Sequence, residues 1–544
     1  MFGDWLKGMR KYAAGTCLAL AVCGGNGRAD ENDTDLRKVV EQQSKQIEEL
    51  RKRLDTAETS KITVAGATES AASEESVKRI VADYLKEADD KKKPEQAAAA
   101  KKDEGHVVGS SLGMTARWDP ANGVRFETAS KDFTLHVGYR FQLDTVFFTQ
   151  SDNIRQPSPA GIGDLQDGAF FRRNRPSFDG TMWEVVEFNV ELALEQVQSG
   201  VPNFDEAWVG LTKLPILGSV RVGHLKVPQG LEGDMVSSSK AMTFMERAAY
   251  TDAFYENFAT GIWAGNSVLD QHATWSAMAY RQDNPRSNSA ADFGDGEYGY
   301  SGRLTGLLID ENEGRHLAHV GASGTWRNNL RPDPGLADPR VTRFRARPEM
   351  RDAIGDFGSG SLPGDSARLV DTGIFASTST GIIGTEALYI LGPFSVQAEY
   401  AWAFANEAVV NKVNQGTLGF GGGYIQLSYF LTGENRTYDR RLGRLGSTYI
   451  AKPFTSFWAV NHEDGGLSWG PGAWEVAARF SRVNLNDGAI QGGGEDGLTL
   501  GVNWYLNTNV KVQFEYLHNN RYDLKTGVVP GNVDAFGIRT QMFF

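Results

Sequence analysis

Regular alternation of apolar and polar residues, from Lys131 onward, is the feature that most constrains the fold of this chain. Its first instance alternates Leu135, Val137, Tyr139, Phe141 and Leu143 with His136, Gly138, Arg140, Gln142 and Asp144. The pattern returns in residues 187–194, 474–481, 498–506 and 510–516. Successive side chains of a strand point to opposite faces, so each segment has one apolar and one polar face. The chain from Lys131 onward is therefore predicted to form antiparallel β-structure.

Two architectures share this alternation: a soluble β-sandwich and a membrane β-barrel. The segments are about ten residues long, which is the length a tilted strand needs to cross a bilayer. Short turns such as 506–509 alternate with long polar loops such as 282–297 and 328–340. The polar faces also carry charges, as a water-filled lumen allows. We therefore predict an all-β fold, an antiparallel transmembrane β-barrel of about 16 strands over residues 131–544.

The N-terminus has the features of an export signal. Lys7, Arg10 and Lys11 precede a short apolar stretch, and Ala29 offers a small-residue cleavage site, so residues 1–29 are predicted to be a signal peptide. A short buried helix is the structural alternative. Both cysteines, Cys17 and Cys23, lie in this segment, and its removal would leave no cysteine for disulfides or metal binding. No later run reaches 18 apolar residues, so a membrane span would have to be built from strands.

A heptad pattern follows in residues 30–59. Its apolar seam consists of Leu36, Val40, Gln43, Ile47, Leu50, Leu54 and Ala57. The unbroken spacing of 4 and 3 predicts an α-helical coiled coil, with a single amphipathic helix as the alternative. Residues 60–130 are predicted to be a helical and low-complexity periplasmic linker.

The last segment of the chain alternates Phe536, Ile538, Thr540, Met542 and Phe544 with small or polar residues. An aromatic residue at the very end of an alternating strand resembles the signal that bacterial barrel assembly machinery recognises. Phe544 is therefore a candidate C-terminal signal, and the assembly machinery is a predicted partner.

Eight stretches, in order along the chain, resemble one protein family. They are A-F-F-R-R-N-R-P-S-F-D-G-T (169–181), V-R-V-G-H-L-K-V-P-Q-G-L-E (220–232), S-S-S-K-A-M-T-F-M-E-R (237–247), F-R-A-R-P-E (344–349), R-L-V-D-T-G (368–373), G-P-F-S-V-Q-A-E-Y (392–400), Y-I-Q-L-S-Y-F-L-T-G-E-N-R-T-Y-D (424–439) and G-V-N-W-Y-L-N (501–507). Together they resemble the phosphate-selective porin O and P family over about residues 131–544. The resemblance implies a 16-stranded outer-membrane barrel, usually a homotrimer embedded in outer-membrane lipid. It further implies passive diffusion of small anions such as phosphate, with neither catalysis nor a cofactor.

Basic side chains would give such a pore its preference for anions, because a fixed positive ring lowers the barrier for anions and raises it for cations. Arginine suits phosphate, since its planar fork donates paired hydrogen bonds. Residues 131–544 nevertheless carry 35 basic and 46 acidic groups, and 27 of the 35 are arginines. Net charge therefore does not support an anion pore. Whether the pore prefers anions depends on where the individual charges lie.

The strongest candidates are Arg343, Arg345 and Arg347, which stand at every second position and share one side of an extended segment. A solvated loop, stiffened by pairing of these arginines with neighbouring acidic residues, is the alternative. Arg173 and Arg175 share a face, and Arg172 is expected to face the other way or lie in a turn. A hairpin-end cluster held by acidic residues is the alternative for these three.

Four further residues complete the set of candidates. Arg140 lies on the polar face of the first strand and is expected in the lumen. Arg436 belongs to a family-like stretch, with a structural salt bridge to Glu434 as the alternative. Lys226 and Lys240 match lysines of family-like stretches near the third loop.

The sequence gives little support for a metal site, an enzyme active site or a nucleic-acid-binding surface. His316 and His319 are the only close histidine pair, and their spacing in a strand places them on opposite faces, against a metal site. No nucleophile elbow, phosphate-binding loop or nucleic-acid pattern is present, so an enzyme is not expected. We predict a porin for small anions, with phosphate or a related oxyanion as the substrate. A general or differently selective porin, or a tether from the outer membrane to the cell wall through the N-terminal segment, is the alternative.

Overall fold

The computed structural model describes residues 108–119, 123–198, 201–235, 240–281, 298–329, 341–353, 367–446, 460–461, 467–468 and 470–544. The predicted signal peptide, the coiled coil of residues 30–59 and most of the linker lie outside these ranges. So do the predicted loop 282–297 and most of 328–340.

A closed antiparallel β-barrel of sixteen strands dominates the described part of the chain. Its strands are β3 (Thr134–Gln150), β4 (Gly168–Met182), β5 (Val186–Gln198), β6 (Val201–Leu214), β7 (Gly218–Lys226), β8 (Phe258–Val268), β9 (Ala273–Arg281), β10 (Tyr298–Glu311), β11 (His316–Asn328), β14 (Ser379–Leu391), β15 (Phe394–Val410), β16 (Val413–Phe430), β21 (Ala473–Asp487), β22 (Ile490–Tyr505), β23 (Val510–Leu524) and β24 (Gly531–Phe543). Each strand pairs with its neighbour in sequence, and β24 returns to β3 with register from Val533↔Gln150 to Phe543↔Arg140. The predicted barrel is confirmed.

The barrel has an apolar outside and a polar inside. On β23, Tyr516 faces outward and is 42% exposed, whereas Gln513 and Glu515 face inward and are buried. The same division holds on β24, where Phe536 faces outward and Arg539 and Gln541 are buried inside. A lipid-facing apolar surface and a polar lumen are what a transmembrane barrel requires.

The two ends of the barrel differ in their connections. At the end that we call the turn end, short turns such as 183–185, 392–393 and 506–509 join the strands. Long connections such as 151–167 and 227–257 lie at the opposite, loop end, and the turn end has a long connection between β16 and β21 (431–472). In bacterial barrels the short turns lie in the periplasm and the long loops outside the cell, which orients this chain.

A hairpin precedes the barrel, where the sequence predicted linker. Strands β1 (Met114–Asp119) and β2 (Gly123–Thr128) pair with each other, and β2 also pairs with residues 134–137 of β3. Strand β2 therefore pairs with the same edge of β3 as β24 does, just beyond the end of β24. Gly123 adopts φ +84°, and a Cβ there would lie 2.5 Å from the carbonyl carbon of Phe544. The structured region therefore begins before residue 131.

The remaining elements are short and belong to the connections. They are the strands β12 (Arg345–Ala346), β13 (Val370–Asp371), β17 (Tyr438–Asp439), β18 (Arg444–Leu445), β19 (Val460–Asn461) and β20 (Leu467–Ser468), helix α1 (Ala249–Phe254), a π-helix (Gly230–Met235) and the 3₁₀-helices Asp152–Arg155 and Asn312–Gly314. Within the described ranges, helices of the length and hydropathy needed to cross a membrane are absent.

Three connections fold inward. We call residues 227–257 the constriction loop, residues 341–353 the arginine segment, and residues 431–446, which enter from the turn end, the turn-end loop. Helix α1 and Phe344 pack on the inner wall, where Ala401 and Ala403 of β15 and Val483 of β21 are fully buried. Small side chains on this part of the wall leave space for the packed loops.

Candidate functional site: the lumen and its inward loops

The inner wall holds the constriction loop through its backbone. The N–H groups of Leu231 and Glu232 donate to the carboxylate of Glu399 at 2.5 and 2.7 Å, and that of Met245 donates to Glu515 at 2.8 Å. A loop that leaves a sheet loses its ladder partners, and buried backbone groups require substitutes. Inward-facing carboxylates of β15 and β23 supply them.

Backbone carbonyl groups of the same loop accept hydrogen bonds from donor side chains of the barrel wall. Lys511 donates to the carbonyl oxygen of Met242 at 3.1 Å. Asn503 and Gln513 each donate to that of Thr243 at 2.9 Å. The buried polar face of the barrel thus fixes the loop across the lumen.

Glu246 of the constriction loop gathers arginines from three elements. It accepts two hydrogen bonds from Arg172 of β4 at 2.7 and 3.1 Å and one from Arg539 of β24 at 3.0 Å. Arg351 of the arginine segment lies 3.6 Å away. Burial alone would raise the pKa of Glu246, but these guanidinium groups hold it well below its usual range. The carboxylate therefore stays charged.

Alternation predicted that Arg172 would face away from Arg173 or lie in a turn. In the structure the two side chains instead point to the same side of β4. In the pairing with β3, Gln142 lies opposite Arg173 and Leu143 lies opposite Phe171, so Arg172 is an extra residue. This β-bulge turns two consecutive side chains to the same side. Both arginines consequently face the lumen.

The arginine segment places its three arginines opposite a buried face. Phe344 is 2% exposed and Ala346 is fully buried, while Arg343, Arg345 and Arg347 alternate with them. The side chain of Arg343 is 37% exposed and that of Arg347 only 9%, with Arg345 half-buried between them. The series therefore leads from an accessible to an enclosed environment.

Fixed carboxylates accompany this series. Asp371 of β13 accepts hydrogen bonds from Arg343, with Nε at 2.9 Å from Oδ1. Asp252 of helix α1 accepts from Nη1 of Arg347 at 3.0 Å and from Arg368 at 2.8 Å. Burial would raise the pKa of Asp252, but Arg347 and Arg368 lower it. Arg343 and Arg347 thus each have a counter-ion on a neighbouring element.

The three barrel-wall candidates differ in their partners. Arg140 forms an ion pair with Glu191 at 3.1 Å. Arg175 is surrounded by Glu191, Glu195 and Asp205, with Glu195 at 2.5 Å, so the alternative of an arginine held by acids describes it. Arg173 instead donates to the amide oxygen of Gln142 at 2.6 Å.

Arg436 fastens the turn-end loop to the constriction loop. Its guanidinium contacts Thr243 and lies 3.4 Å from the carbonyl oxygen of Ala241. Its carboxylate neighbour is Glu475, at 3.9 Å. The structure therefore pairs Arg436 with Glu475 and not with Glu434, because the loop folds inward and turns this side chain toward the barrel wall.

The two candidate lysines lie beside aromatic rings. Lys226 ends β7, and its Nζ is 6.0 Å from the ring centroid of Phe258. Nζ of Lys240 is 5.2 Å from that of Phe543. Burial and the nearby Arg140 lower the pKa of Lys240 to about 8.

The turn-end loop is fastened to the wall by a second polar cluster. Glu386 of β14 accepts from Arg303 at 2.5 Å and contacts Nε2 of His319 at 2.9 Å. His319 reaches the hydroxyl of Tyr438 through Nδ1 at 2.7 Å. His316 contacts Glu311 instead, so the two histidines point apart, and the described residues contain no group of side chains suited to a metal ion.

Sequence reasoning missed Arg351, Arg368, Asp252 and Asp371. Arg351 continues the arginine-rich stretch four residues after Arg347, and this spacing could have indicated it. The two aspartates could not be found in this way, because their pairing depends on how the loops fold.

Comparisons with known proteins identify the family and several similar proteins. The family model for phosphate-selective porin O and P matches residues 149–544. Porin O of Pseudomonas aeruginosa is 28% identical over 443 residues, which cover 78% of this chain and 91% of that protein. An uncharacterized protein of Caulobacter vibrioides is 27% identical, covering 73% of this chain and 72% of its own length. Among solved structures, the anion-selective porin from Comamonas acidovorans is 12% identical with a TM-score of 0.43, covering 76% of this chain and 100% of that one. This chain belongs to the phosphate-selective porin O and P family and is a channel-forming porin of the bacterial outer membrane.

Proposed function

We propose that the barrel conducts small anions by passive diffusion and favours phosphate or a related oxyanion. The observation that carries this proposal is the ordered series Arg343, Arg345 and Arg347, whose exposure falls along the inward segment. The family description, phosphate-selective, supports the same substrate class.

The geometry suits transfer between successive sites. Guanidinium groups at every second residue repeat roughly every 7 Å along an extended strand, so an oxyanion can bind one fork before leaving another. Asp371 and Asp252 compete with the permeating anion for these forks. Weak binding of this kind is what conduction needs, since an ion must leave each site as readily as it enters.

Planar-bilayer recording tests the proposal. In a salt gradient, the reversal potential of the purified protein should show anion preference. Replacing Arg343, Arg345 and Arg347 together by Ala should reduce or reverse that preference. Arg482→Ala is the matched control, because Arg482 lies on β21 beside Asp496, with a 59% exposed side chain, outside the proposed path. Equal reversal potentials for the triple variant and wild type would remove the arginine segment from the ion path.

Substrate choice needs a second measurement. Inorganic phosphate should reduce the chloride current by occupying the arginine forks, and the triple variant should need more phosphate for the same block. Chloride current that is insensitive to phosphate, in a pore that still prefers anions, would favour the general-porin alternative. The observation that favours the general-porin alternative is the surplus of acidic over basic groups in residues 131–544.

We further propose that the protein works as a homotrimer, with the heptads of residues 30–59 holding three chains together and the N-terminal segment lying in the periplasm. The support is the seven-residue repeat itself. Cross-linking and native electrophoresis of a variant lacking residues 30–104 test it: the trimer should weaken. Co-sedimentation with peptidoglycan tests the cell-wall tether in the same variant.

A further inference from the structure

A cleft lies at the turn end, on the opposite side of the constriction from the arginine segment. It has a volume of about 330 Å³ and lies between the inner wall of β6 to β9 and Arg441 and Leu442 of the turn-end loop. Ligand pockets begin at about this size. We call it the turn-end cleft.

Arg221 is fixed in place on the wall of this cleft. Its guanidinium carbon lies 4.3 Å from the ring centroid of Trp208 and 4.8 Å from that of Trp263, and its Nε donates to Glu187 at 2.8 Å. Cation–π contacts on two rings hold the guanidinium plane. Within the part of the chain that the structure describes, the two terminal nitrogens make no hydrogen bond. A preorganised pair of donors therefore faces the cleft.

A second guanidinium faces the cleft from the turn-end loop. Arg441 is exposed and lines the cavity, and no described residue forms an ion pair with its side chain. Arg444 lies nearby: burial lowers its pKa, and although Asp439 and Glu206 oppose this, Arg221 and Arg441 add to the lowering. Three guanidinium groups thus lie at or near the cleft: Glu187 accompanies Arg221, and Asp439 and Glu206 accompany Arg444. Arg441 is the one of the three whose side chain forms no ion pair within the described ranges.

Hydroxyl and amide groups line a further part of the cavity, beside Lys213, Trp275 and Leu442. Ser219, Asn266, Gln271, Thr274 and Ser276 contribute side chains that both donate and accept hydrogen bonds. Ser219 donates to Thr212 at 3.0 Å, and Thr274 shares a hydrogen bond with Thr305 at 2.6 Å. Ser276 makes none within the described ranges. A wholly inorganic anion would leave most of this polar lining unused.

We propose that the turn-end cleft is a binding site for a phosphorylated polyol, a class that includes the sugar phosphates. The phosphate would take the terminal nitrogens of Arg221 and the guanidinium of Arg441, since the planar arginine fork matches phosphate oxygens. The hydroxyls of the ligand would bind Ser276 and its polar neighbours. This inference rests on the proposed anion-channel function and adds a substrate class with its own site.

Block of the chloride current by glucose 6-phosphate, added on the turn-end side, is the test. Arg221→Lys keeps the charge and removes the fork, so the half-blocking concentration should rise about tenfold. Arg441→Ala, at an exposed position outside the barrel wall, should raise it about as much and does not depend on refolding of the barrel. Ser276→Ala should raise it about threefold for glucose 6-phosphate and leave that for inorganic phosphate unchanged.

Arg482→Ala on the outer surface is again the matched control, and heat-modifiable electrophoresis checks that each variant is folded. Unchanged half-blocking concentrations in Arg221→Lys and Arg441→Ala would overturn the site. Equal effects of Ser276→Ala on both ligands would overturn the recognition of hydroxyls. Failure of the anion-channel proposal looks different, because the reversal potential would then lack anion preference. Calorimetric titration of glucose 6-phosphate into the detergent-solubilised protein reports on the cleft even in that case.

Discussion

Asp371 offers the sharpest test of the idea that fixed carboxylates moderate the arginine series. Its side chain is 26% exposed, and it accepts hydrogen bonds from Arg343 and from the backbone N–H of Gly373, the latter at 2.8 Å. Asp371→Asn keeps the shape and removes one negative charge from the segment. The positive charge of Arg343 is then no longer offset by a neighbouring carboxylate, and the preference for anions should rise.

The size of this change follows from Coulomb's law. A unit charge about 8 Å from a passing ion in a water-like medium changes the energy of that ion by about 0.5 kcal/mol. Screening at about 0.1 M salt reduces this to roughly 0.2 kcal/mol. The anion gains what the cation loses, so the chloride-to-potassium permeability ratio should shift by about 0.4 to 1 kcal/mol, or roughly two- to fivefold.

Reversal potentials in a potassium chloride gradient measure this ratio directly. Asp371→Glu keeps the charge and should resemble wild type, whereas Arg343→Gln should lower the ratio by a similar factor. The double variant Arg343→Gln/Asp371→Asn restores the net charge and should return close to wild type. An unchanged or lower ratio in Asp371→Asn, with conductance intact, would refute the counter-ion argument.

Three further outcomes are expected. Arg436→Met removes the contacts of Arg436 with the constriction loop and its ion pair with Glu475 of β21. Because breaking a buried ion pair costs about 3–5 kcal/mol, the turn-end loop should loosen, and single-channel recordings should show a larger, noisier conductance. The pKa of Lys240 is lowered to about 8 by burial and by Arg140, so its positive charge is present below that pH and lost above it; anion preference should fall between pH 7 and 9 in wild type and fall less steeply in Lys240→Met. Phe544→Ala should reduce the yield of heat-modifiable, folded barrel, while Phe536→Ala, which alters a lipid-facing ring of the same strand, should reduce it less; equal yields would contradict a special role for the terminal ring.

The barrel could be predicted because its signal is local. Each strand shows its two faces in the amino-acid sequence, and alternation alone is enough to assign Arg140, Arg173 and Arg175 to the polar side. The hairpin of β1 and β2 escaped notice because both strands are short, although the Asn-Gly step at 122–123 is typical of a tight turn.

The inward loops could not be predicted in the same way. Which carboxylate meets Arg347 or Arg436 depends on packing between segments far apart in sequence: Asp252 lies 95 residues from Arg347. Alternation reports the face of a residue, but it carries no information about a partner on another element. The three arginines of the arginine segment were recognisable as a series, whereas their counter-ions were not.

The bulge at Arg172 also affects how such chains are compared and how they diverge. Phe171 and Arg173 would keep their facings if the extra residue were absent, since one residue on β4 has no opposite number on β3. A single-codon deletion inside this strand would therefore remove a lumen charge and leave the lipid face in register. Alignments that confine gaps to loops would misplace this position, and relatives of this barrel could change pore charge by insertion or deletion as well as by substitution.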